Sequence, residues 1–296
     1  MDLSHLIQVL SGLAGDRMSL SVQRSIDLLS VKAALRYGCC EEFFTLHDSD
    51  MRILITGAAG KVGKGVRKEL ATAGHQLRLA DIAPVENPEG ESIKLDIADS
   101  DTVRRAMEGI EAVAHLAYGP IRWSEPNADD IRKSFDVNVK GTFNLLWAAK
   151  QAGVKRFVYS TTLSVFGKSL NDLPEITEQT PPSPDEIYGL TKLLGELNCK
   201  YFSGQQTLGI VCLRLCHVCD DADWEKAVAE KPGPARQRWR VMATHVSDVA
   251  RAIHLALTTP NLQYELINIA SDNANRFVQI QRAKDVLGFW PQRKLD

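Results

Sequence analysis

The chain has 296 residues, 44% of them hydrophobic and 24% charged, with a formal net charge of −2. This is ordinary globular composition, with core enough for one large domain or two modest ones. The near-neutral charge argues against a nucleic-acid partner, the absence of a run of about eighteen apolar residues argues against a membrane span, and six cysteines are too few for a disulfide-dependent scaffold.

The start, Met1-Asp2-Leu3-Ser4-His5, lacks the positive charge of a secretory signal. The expectation is a cytoplasmic protein with reduced thiols. Residues 1–50 read as an N-terminal helical extension. Leu3, Leu6, Ile7, Leu10 and Leu13 recur at helical spacing, and Val22, Ile26, Leu29 and Ala33 form a second stripe. Three readings of the extension stay open: an appendage packed on the main domain, a partner-binding or oligomer-forming segment, and poorly ordered sequence from a start codon placed too early. Asp48-Ser49-Asp50 reads as a linker.

From Met51 the pattern sharpens. Arg52 to Thr56 is an apolar strand that runs into Gly57-Ala58-Ala59-Gly60-Lys61-Val62-Gly63. A helix follows through Leu70 and ends near Gly74. Strands are predicted at Gln76–Ala80, Ser92–Leu95, Ala112–Leu116, Phe157–Ser160, Ile210–Leu215 and Tyr264–Ile269. Helices are predicted at Asp101–Met107, Ala128–Ala152, Glu186–Phe202, Val246–Leu257 and Ile280–Leu287. Strands alternating with helices imply an α/β fold with a doubly wound, mostly parallel sheet of Rossmann type. After Cys216 the pattern loosens, and Pro232-Gly233-Pro234 interrupts it.

A strand, a glycine-rich turn and a helix make a place for a pyrophosphate. Gly57 permits the tight turn, Gly60 lets the backbone approach phosphate oxygens, and Gly63 lets the helix pack on the sheet. Backbone N–H groups at the helix start, around Lys61 and Val62, then face the anion. Asp81 ends the next strand, where its carboxylate can accept ribose hydroxyls and repel a 2'-phosphate, which favours NAD over NADP. Asp96 and Ile97 follow the third strand, within reach of an adenine; a turn or capping role for Asp96 is the plainer alternative. His115, Leu116, Ala117 and Tyr118 close the fourth strand, at the edge where open α/β sheets bind ligands. A packed structural role for His115 is equally open.

Tyr188 and Lys192 are four residues apart in a helix and so share a face. A phenol has a reference pKa of about 10, and a neighbouring ammonium favours its ionised form. Such a tyrosine can exchange a proton with a substrate hydroxyl. Thr161, Thr162 and Ser164 follow the fifth strand and can orient a substrate oxygen, or else cap local backbone. Cys212, Cys216, His217 and Cys219 invite a zinc reading. Their strand setting and the lack of a second matching pair argue instead for small apolar side chains, and no metal is expected.

The ordered set Gly57 to Gly63, Asp81, Asp96, His115-Leu116-Ala117, Asn138-Val139-Lys140-Gly141-Thr142, Tyr159-Ser160-Thr161-Thr162, Tyr188-Gly189-Leu190-Thr191-Lys192 and His245-Val246-Ser247-Asp248-Val249-Ala250 resembles the extended short-chain dehydrogenase/reductase family. Its sugar epimerase, dehydratase and dehydrogenase branch is the most similar. The resemblance implies that Tyr188 is the catalytic acid/base, that Lys192 holds the nicotinamide ribose and lowers the tyrosine pKa, and that Thr162 is the catalytic hydroxyl. It implies a cofactor-binding role for Asn138, structural roles for His245 and Asp248, and NAD as cofactor. It also implies a homodimer built on the helices around residues 130–152 and 186–202. Residues 51–215 then form the main NAD-binding domain with the catalytic residues, and 216–296 a small substrate lobe plus returning Rossmann elements.

Thr161 and Leu163, where a dehydratase would carry an acid, argue against dehydration. The short C-terminal lobe, Met242-Ala243-Thr244 and Leu287-Gly288-Phe289-Trp290-Pro291 resemble uronate dehydrogenases. Ser164-Val165-Phe166-Gly167 looks closer to nucleotide-sugar epimerases. The first expectation is therefore oxidation of a small sugar or sugar acid, and the second a nucleotide-sugar epimerase. From another class comes a non-enzymatic NAD-sensing or scaffold protein. A sugar carboxylate needs a cation, and Arg236, Arg238, Arg240 and Arg214 are the candidates; a solvated loop and a structural ion pair are the alternatives.

Overall fold

In the computed structural model, residues 50–119, 125–171, 173–204, 208–229, 243–271 and 277–294 are described. The helical extension expected over residues 1–50, with its partner-contact reading, lies outside them but for Asp50, as do Arg236, Arg238 and Arg240.

Strand β1 (Arg52–Thr56) carries Ile53, Leu54 and Ile55 fully buried. Burial of consecutive residues requires cover on both faces, the signature of a central parallel strand. It pairs with β2 (Gln76–Asp81) and β4 (Ala112–His115). β3 (Glu91–Lys94) lies outside β2, while β5 (Arg156–Thr162), β6 (Gly209–Leu215) and β9 (Tyr264–Ile269) extend the other side. All seven strands are parallel, in the order β3-β2-β1-β4-β5-β6-β9. The order reverses between β1 and β4. At such a switch point the loops leave the sheet in opposite directions and open a crevice at the carboxyl ends. The register brings Thr56 beside His115 and His115 beside Tyr159, so the functional ends of neighbouring strands share one edge.

Helices α1 (Lys61–Thr72) and α7 (Val246–Thr258) cover one face, with Val66, Leu70, Val249 and Ile253 in a common core. The other face is covered by α2 (Ser100–Ala106), α4 (Thr142–Gln151) and α5 (Ile187–Ser203), through Val103, Leu145, Leu146 and Phe202. α8 (Gln281–Leu287) adds Ala283 and Leu287 to the first core.

The helix expected across residues 128–152 is not uniform. α3 (Ala128–Phe135) starts with an Asn127–Asp130 capping box and runs through a π-helical stretch, Asp136–Gly141, into α4. The Thr142 hydroxyl donates to the Asn138 carbonyl at 2.7 Å. Such widened turns collect at functional sites, and this one bears Asn138.

Three elements had no signal in the sequence pattern. β7 (His217–Cys219) and β8 (Ala243–His245) form a separate two-stranded parallel sheet, and α6 (Asp221–Ala229) packs beside it. Cys219, Trp224, Ala227 and Ala243 give this lobe a small core of its own. Three-residue strands are too short to show an alternation. Among the described residues no helix is long and apolar enough to cross a membrane.

Candidate active site

The cradle begins where β1 ends. Gly57 has φ +76, and a Cβ there would lie 2.6 Å from the Ala117 nitrogen. The turn therefore needs a residue without a side chain. A Cβ on Gly63 would fall 2.2 Å from the Gly57 carbonyl oxygen, so the first turn of α1 closes against the loop only with glycine. α1 has no side-chain cap and no acidic residue in its first turn. Its positive end is left for an external anion. Asp81 stands beside it at the end of β2, partly buried. One carboxylate oxygen accepts from the Ala59 N–H and the other from the Ala83 N–H, both at 3.0 Å. These features fit a dinucleotide: an uncapped helix end for the phosphates, and a fixed carboxylate one strand away for a ribose.

The other expected cofactor residues divide into those that reach the crevice and those that do not. Val62, Leu116 and Tyr118 line it, and Ala117 abuts Gly57. Asp96 is exposed, with one oxygen accepting from the Ala98 N–H at 2.9 Å. The side chain of Ile97 is buried, and its carbonyl accepts from the Asn144 amide at 3.0 Å, so Ile97 offers the crevice main chain only. The Lys61 ammonium is not a phosphate clamp. It pairs with Asp223 at 2.6 Å and Asp220 at 3.4 Å, which leaves its backbone N–H as its part in the cradle.

Asn138 is anchored on three sides. Its side-chain oxygen accepts from the Gly119 N–H at 2.9 Å, and its amide donates to Ser134 Oγ at 3.2 Å and Thr191 Oγ1 at 3.0 Å. Both amide hydrogens are spent. Asn138 therefore ties the loop after β4 to α3 and α5, and its oxygen keeps one lone pair beyond the Gly119 contact. His115 is a fully buried lock, with Nδ1 2.8 Å from Thr56 Oγ1 and Nε2 2.9 Å from Thr142 Oγ1. Thr142 gives its hydrogen to Asn138, so it accepts from His115 Nε2–H, and Nδ1 accepts from Thr56. Burial, and then the charge of Lys192, hold the imidazole well below its usual pKa. His115 is thus a neutral structural residue.

The chemical residues converge at the carboxyl end of β5. Tyr188, Lys192, Thr162 and Ser164 line a cleft of about 430 Å³, together with Tyr118 and Val62. The Thr162 hydroxyl bonds Tyr188, and the Tyr118 ring meets that of Tyr188 edge-on at 6.2 Å. Thr162 also donates to Ser164 Oγ at 3.3 Å and accepts from the Ser164 N–H at 3.1 Å. Lys192 is buried, with Nζ donating to the Ser160 carbonyl at 2.8 Å and lying 4.8 Å from the centre of the Tyr159 ring. Desolvation lowers its pKa to about 7, against the opposing pull of Cys199 and Glu196. Burial raises the Tyr188 phenol above its usual value, Tyr118 and Glu186 act in the same direction, and Thr162 opposes them.

Arg214 and Thr161 require a correction. Arg214 is buried and forked onto Glu196, with contacts of 3.0 and 2.8 Å, and the Thr161 hydroxyl donates to the same carboxylate at 2.8 Å. The guanidinium is thus committed to a structural ion pair, and the Thr161 hydroxyl to supporting it. Arg214 does not line the cleft, whereas Thr161 does, beside Thr162. Cys216, His217 and Val218 also line the cleft, the first two weighed from the sequence only as metal ligands and Val218 not at all. They directly follow β6 at the ligand-binding edge, and that position was the signal for them. The cysteines do not assemble a ligand set: Cys212 contacts Cys199, while Cys216 lies beside Thr244. Among the described residues no three His, Cys, Asp or Glu side chains converge as for a metal. His245 caps α7 and meets Asp221 at 3.1 Å, while Asp248 binds Arg251 and two backbone N–H groups, so both serve structure.

The sequence profile of the family described as NAD dependent epimerase/dehydratase matches residues 53–222. A uronate dehydrogenase of Pseudomonas syringae pv. tomato is 30% identical over 227 residues, which are 75% of this chain and 75% of that protein. An L-arabinose 1-dehydrogenase (NAD(P)(+)) of Haloferax volcanii is 29% identical over 263 residues, 81% of this chain and 96% of the other. The NAD-bound crystal structure of a short-chain dehydrogenase/reductase superfamily protein from Agrobacterium tumefaciens matches with a TM-score of 0.71 at 25% identity. It covers 83% of this chain and 94% of that one.

Proposed function

The chain belongs to the NAD dependent epimerase/dehydratase family, within the extended short-chain dehydrogenases/reductases, and on that premise we propose that it oxidises one hydroxyl of a small free sugar or sugar acid. It is an NAD-dependent dehydrogenase in class, with NAD as its cofactor. The observation that carries the reading is the convergence of Thr162, Tyr188 and Lys192 in one cleft beside the glycine turn. Two relatives named for oxidising free sugars or uronates, aligned over most of this chain, favour a small substrate over a nucleotide-sugar.

Bound in the cradle, NAD supplies the hydride acceptor. The chain's own residues do the rest. The first turn of α1 binds the phosphates, and Asp81 accepts ribose hydroxyls and disfavours a 2'-phosphate. Lys192 has donors beyond the one given to Ser160, and these hold the nicotinamide ribose and add positive charge beside Tyr188. Thr162 orients the substrate hydroxyl, and Tyr188 takes its proton. The carboxylate of a sugar acid would be met by Arg236, Arg238 or Arg240. We read the enzyme as cytoplasmic, in keeping with the unpaired buried cysteines among the described residues, Cys199, Cys212, Cys216 and Cys219. We read it also as a homodimer through α4 and α5, which expose Phe143, Trp147, Leu197 and Tyr201.

The test is NADH formation across free uronates, aldoses and nucleotide-sugars. Net NADH with a free sugar or uronate is the expected result. Epimer formation without NADH would overturn the dehydrogenase reading. Tyr188→Phe should keep NAD binding and lose turnover by about a hundredfold or more.

A further inference from the structure

We propose that Lys61 fastens the small lobe to the cofactor cradle through Asp220 and Asp223, and that this fastening opens each time a nicotinamide cofactor enters or leaves. The role follows from NAD as the cofactor and does not depend on which hydroxyl is oxidised.

Lys61 is the first residue of α1, at the phosphate-binding end of the helix, and Val62 follows it. On the lobe, β7 leads through Asp220 straight into α6. Val62 from the cradle, with His217 and Val218 from the lobe, lines one cleft. Lys61 and the two aspartates thus stand beside the lining residues of opposite walls. The ammonium lies 2.6 Å from Asp223 Oδ2 and 3.4 Å from Asp220 Oδ2. Each end of the contact is firmly held. The Asp220 side chain accepts from the Asp223 N–H at 3.0 Å and its carbonyl from the Trp224 N–H at 2.8 Å, and Trp224 is buried in the core of the lobe. The other Asp223 oxygen has the exposed Lys226 at 3.9 Å, beyond hydrogen-bond range. At the cradle end, the closeness of Gly63 to the Gly57 carbonyl fixes the turn from which Lys61 extends.

The charges explain why a lysine stands here. A pyrophosphate is an anion, and α1 carries no acid of its own in the first turn. Two lobe carboxylates close to that helix end would repel the cofactor. Lys61 balances one of them and turns a repulsive acid pair into an attachment. The Asp223 hydrogen bond raises the Lys61 pKa above its ordinary 10.5, so the ammonium stays charged across the neutral range. All three side chains are partly exposed, at 42% for Lys61, 37% for Asp223 and 46% for Asp220. An ion pair so wet is weak and is screened by salt. Weakness suits a contact that has to part at every exchange of cofactor. The buried Glu196–Arg214 pair, by contrast, joins elements that stay together.

The test needs no sugar. Lys61→Met combined with Asp223→Asn removes one charge of each sign and leaves the net charge unchanged. Stopped-flow fluorescence of NADH then reads entry and release separately. Both rate constants should rise about two- to fivefold in the double variant, while Kd moves by less than about twofold. In cofactor-free protein the backbone amides of α6 should exchange with deuterated water faster in the double variant than in the wild type. Unchanged rates, or unchanged exchange in α6, overturn the fastening. Faster release without faster entry marks the loss of a direct phosphate contact and overturns it too. The wild type supplies a check that needs no variant: its NADH release should quicken toward about 1 M salt, and that of the double variant should change much less. A wild-type release rate indifferent to salt, or equal salt responses in the two proteins, would likewise end the proposal.

Discussion

Glu196 and Arg214 form a two-pronged ion pair inside the protein, with contacts of 3.0 and 2.8 Å and both side chains at most 5% exposed. The pair joins α5 to β6, and the Thr161 hydroxyl joins β5 to the same carboxylate at 2.8 Å. Glu196 lies one helical turn beyond Lys192. The contact therefore fixes how far α5 slides along the sheet, and with it where Lys192 and Tyr188 meet Thr162.

Removing one partner of such a pair leaves the other charge buried and uncompensated. Glu196→Gln should cost about 3–5 kcal/mol of stability, read as a shift of the urea midpoint at constant slope. Glu196→Gln combined with Arg214→Met removes both charges and should recover most of the loss. A double variant no more stable than Glu196→Gln alone would show that the pair is not what sets the stability here.

Much of this architecture was legible beforehand. The strand ending in Thr56 and the turn from Gly57 to Gly63 declare themselves because both obey local rules: continuous apolar burial, then glycine where a Cβ has no room. Tyr188 and Lys192 are legible because helical spacing puts them on one face. The fate of Arg214 was not legible. Its partner Glu196 is eighteen residues away, and nothing local separates a guanidinium aimed at a ligand from one forked onto a buried carboxylate. The anchoring contacts of Asn138 were not legible for the same reason, since its partners Gly119 and Thr191 belong to other elements. The place of Cys216, His217 and Val218 in the cleft was not legible because the lobe they open is built from three-residue strands.

Lys192 gives the stability a pH signature. Burial lowers its pKa from an ordinary 10.5 to about 7. Between those values the unfolded chain binds a proton that the folded chain does not, so the Lys192 contribution to stability grows as pH rises through that window. The ceiling is about 1.4 kcal/mol per pH unit. The stability of the wild type relative to Lys192→Met should therefore increase from pH 7 toward pH 10. A difference that is flat or falls over that range would mean that the buried ammonium keeps its ordinary pKa.

The homodimer proposal rests on Phe143 and Trp147 of α4, whose rings stack at 6.5 Å, and on Leu197 and Tyr201 of α5. Four large apolar side chains on two adjacent helices make a patch that favours a partner. Phe143→Glu with Trp147→Glu should convert a dimer to a monomer in light scattering, with NAD affinity nearly unchanged because neither residue lines the cleft. A wild type that is monomeric at micromolar concentration would refute the proposal.

The proposed choice of NAD over NADP rests on Asp81. Each of its oxygens already accepts one backbone N–H, from Ala59 and from Ala83. Those bonds aim the carboxylate and still leave lone pairs for two ribose hydroxyls. A hydrogen bond to a charged group is worth about 1.5–3 kcal/mol, so Asp81→Ala should weaken NAD binding by about ten- to a hundredfold. Affinity for NADP should rise or hold, because the charge that repels its 2'-phosphate is gone. Calorimetric titration with both cofactors measures the two effects side by side. Equal losses for NAD and NADP would mean that Asp81 merely props the glycine turn through Ala59, and the discrimination would have to come from another residue.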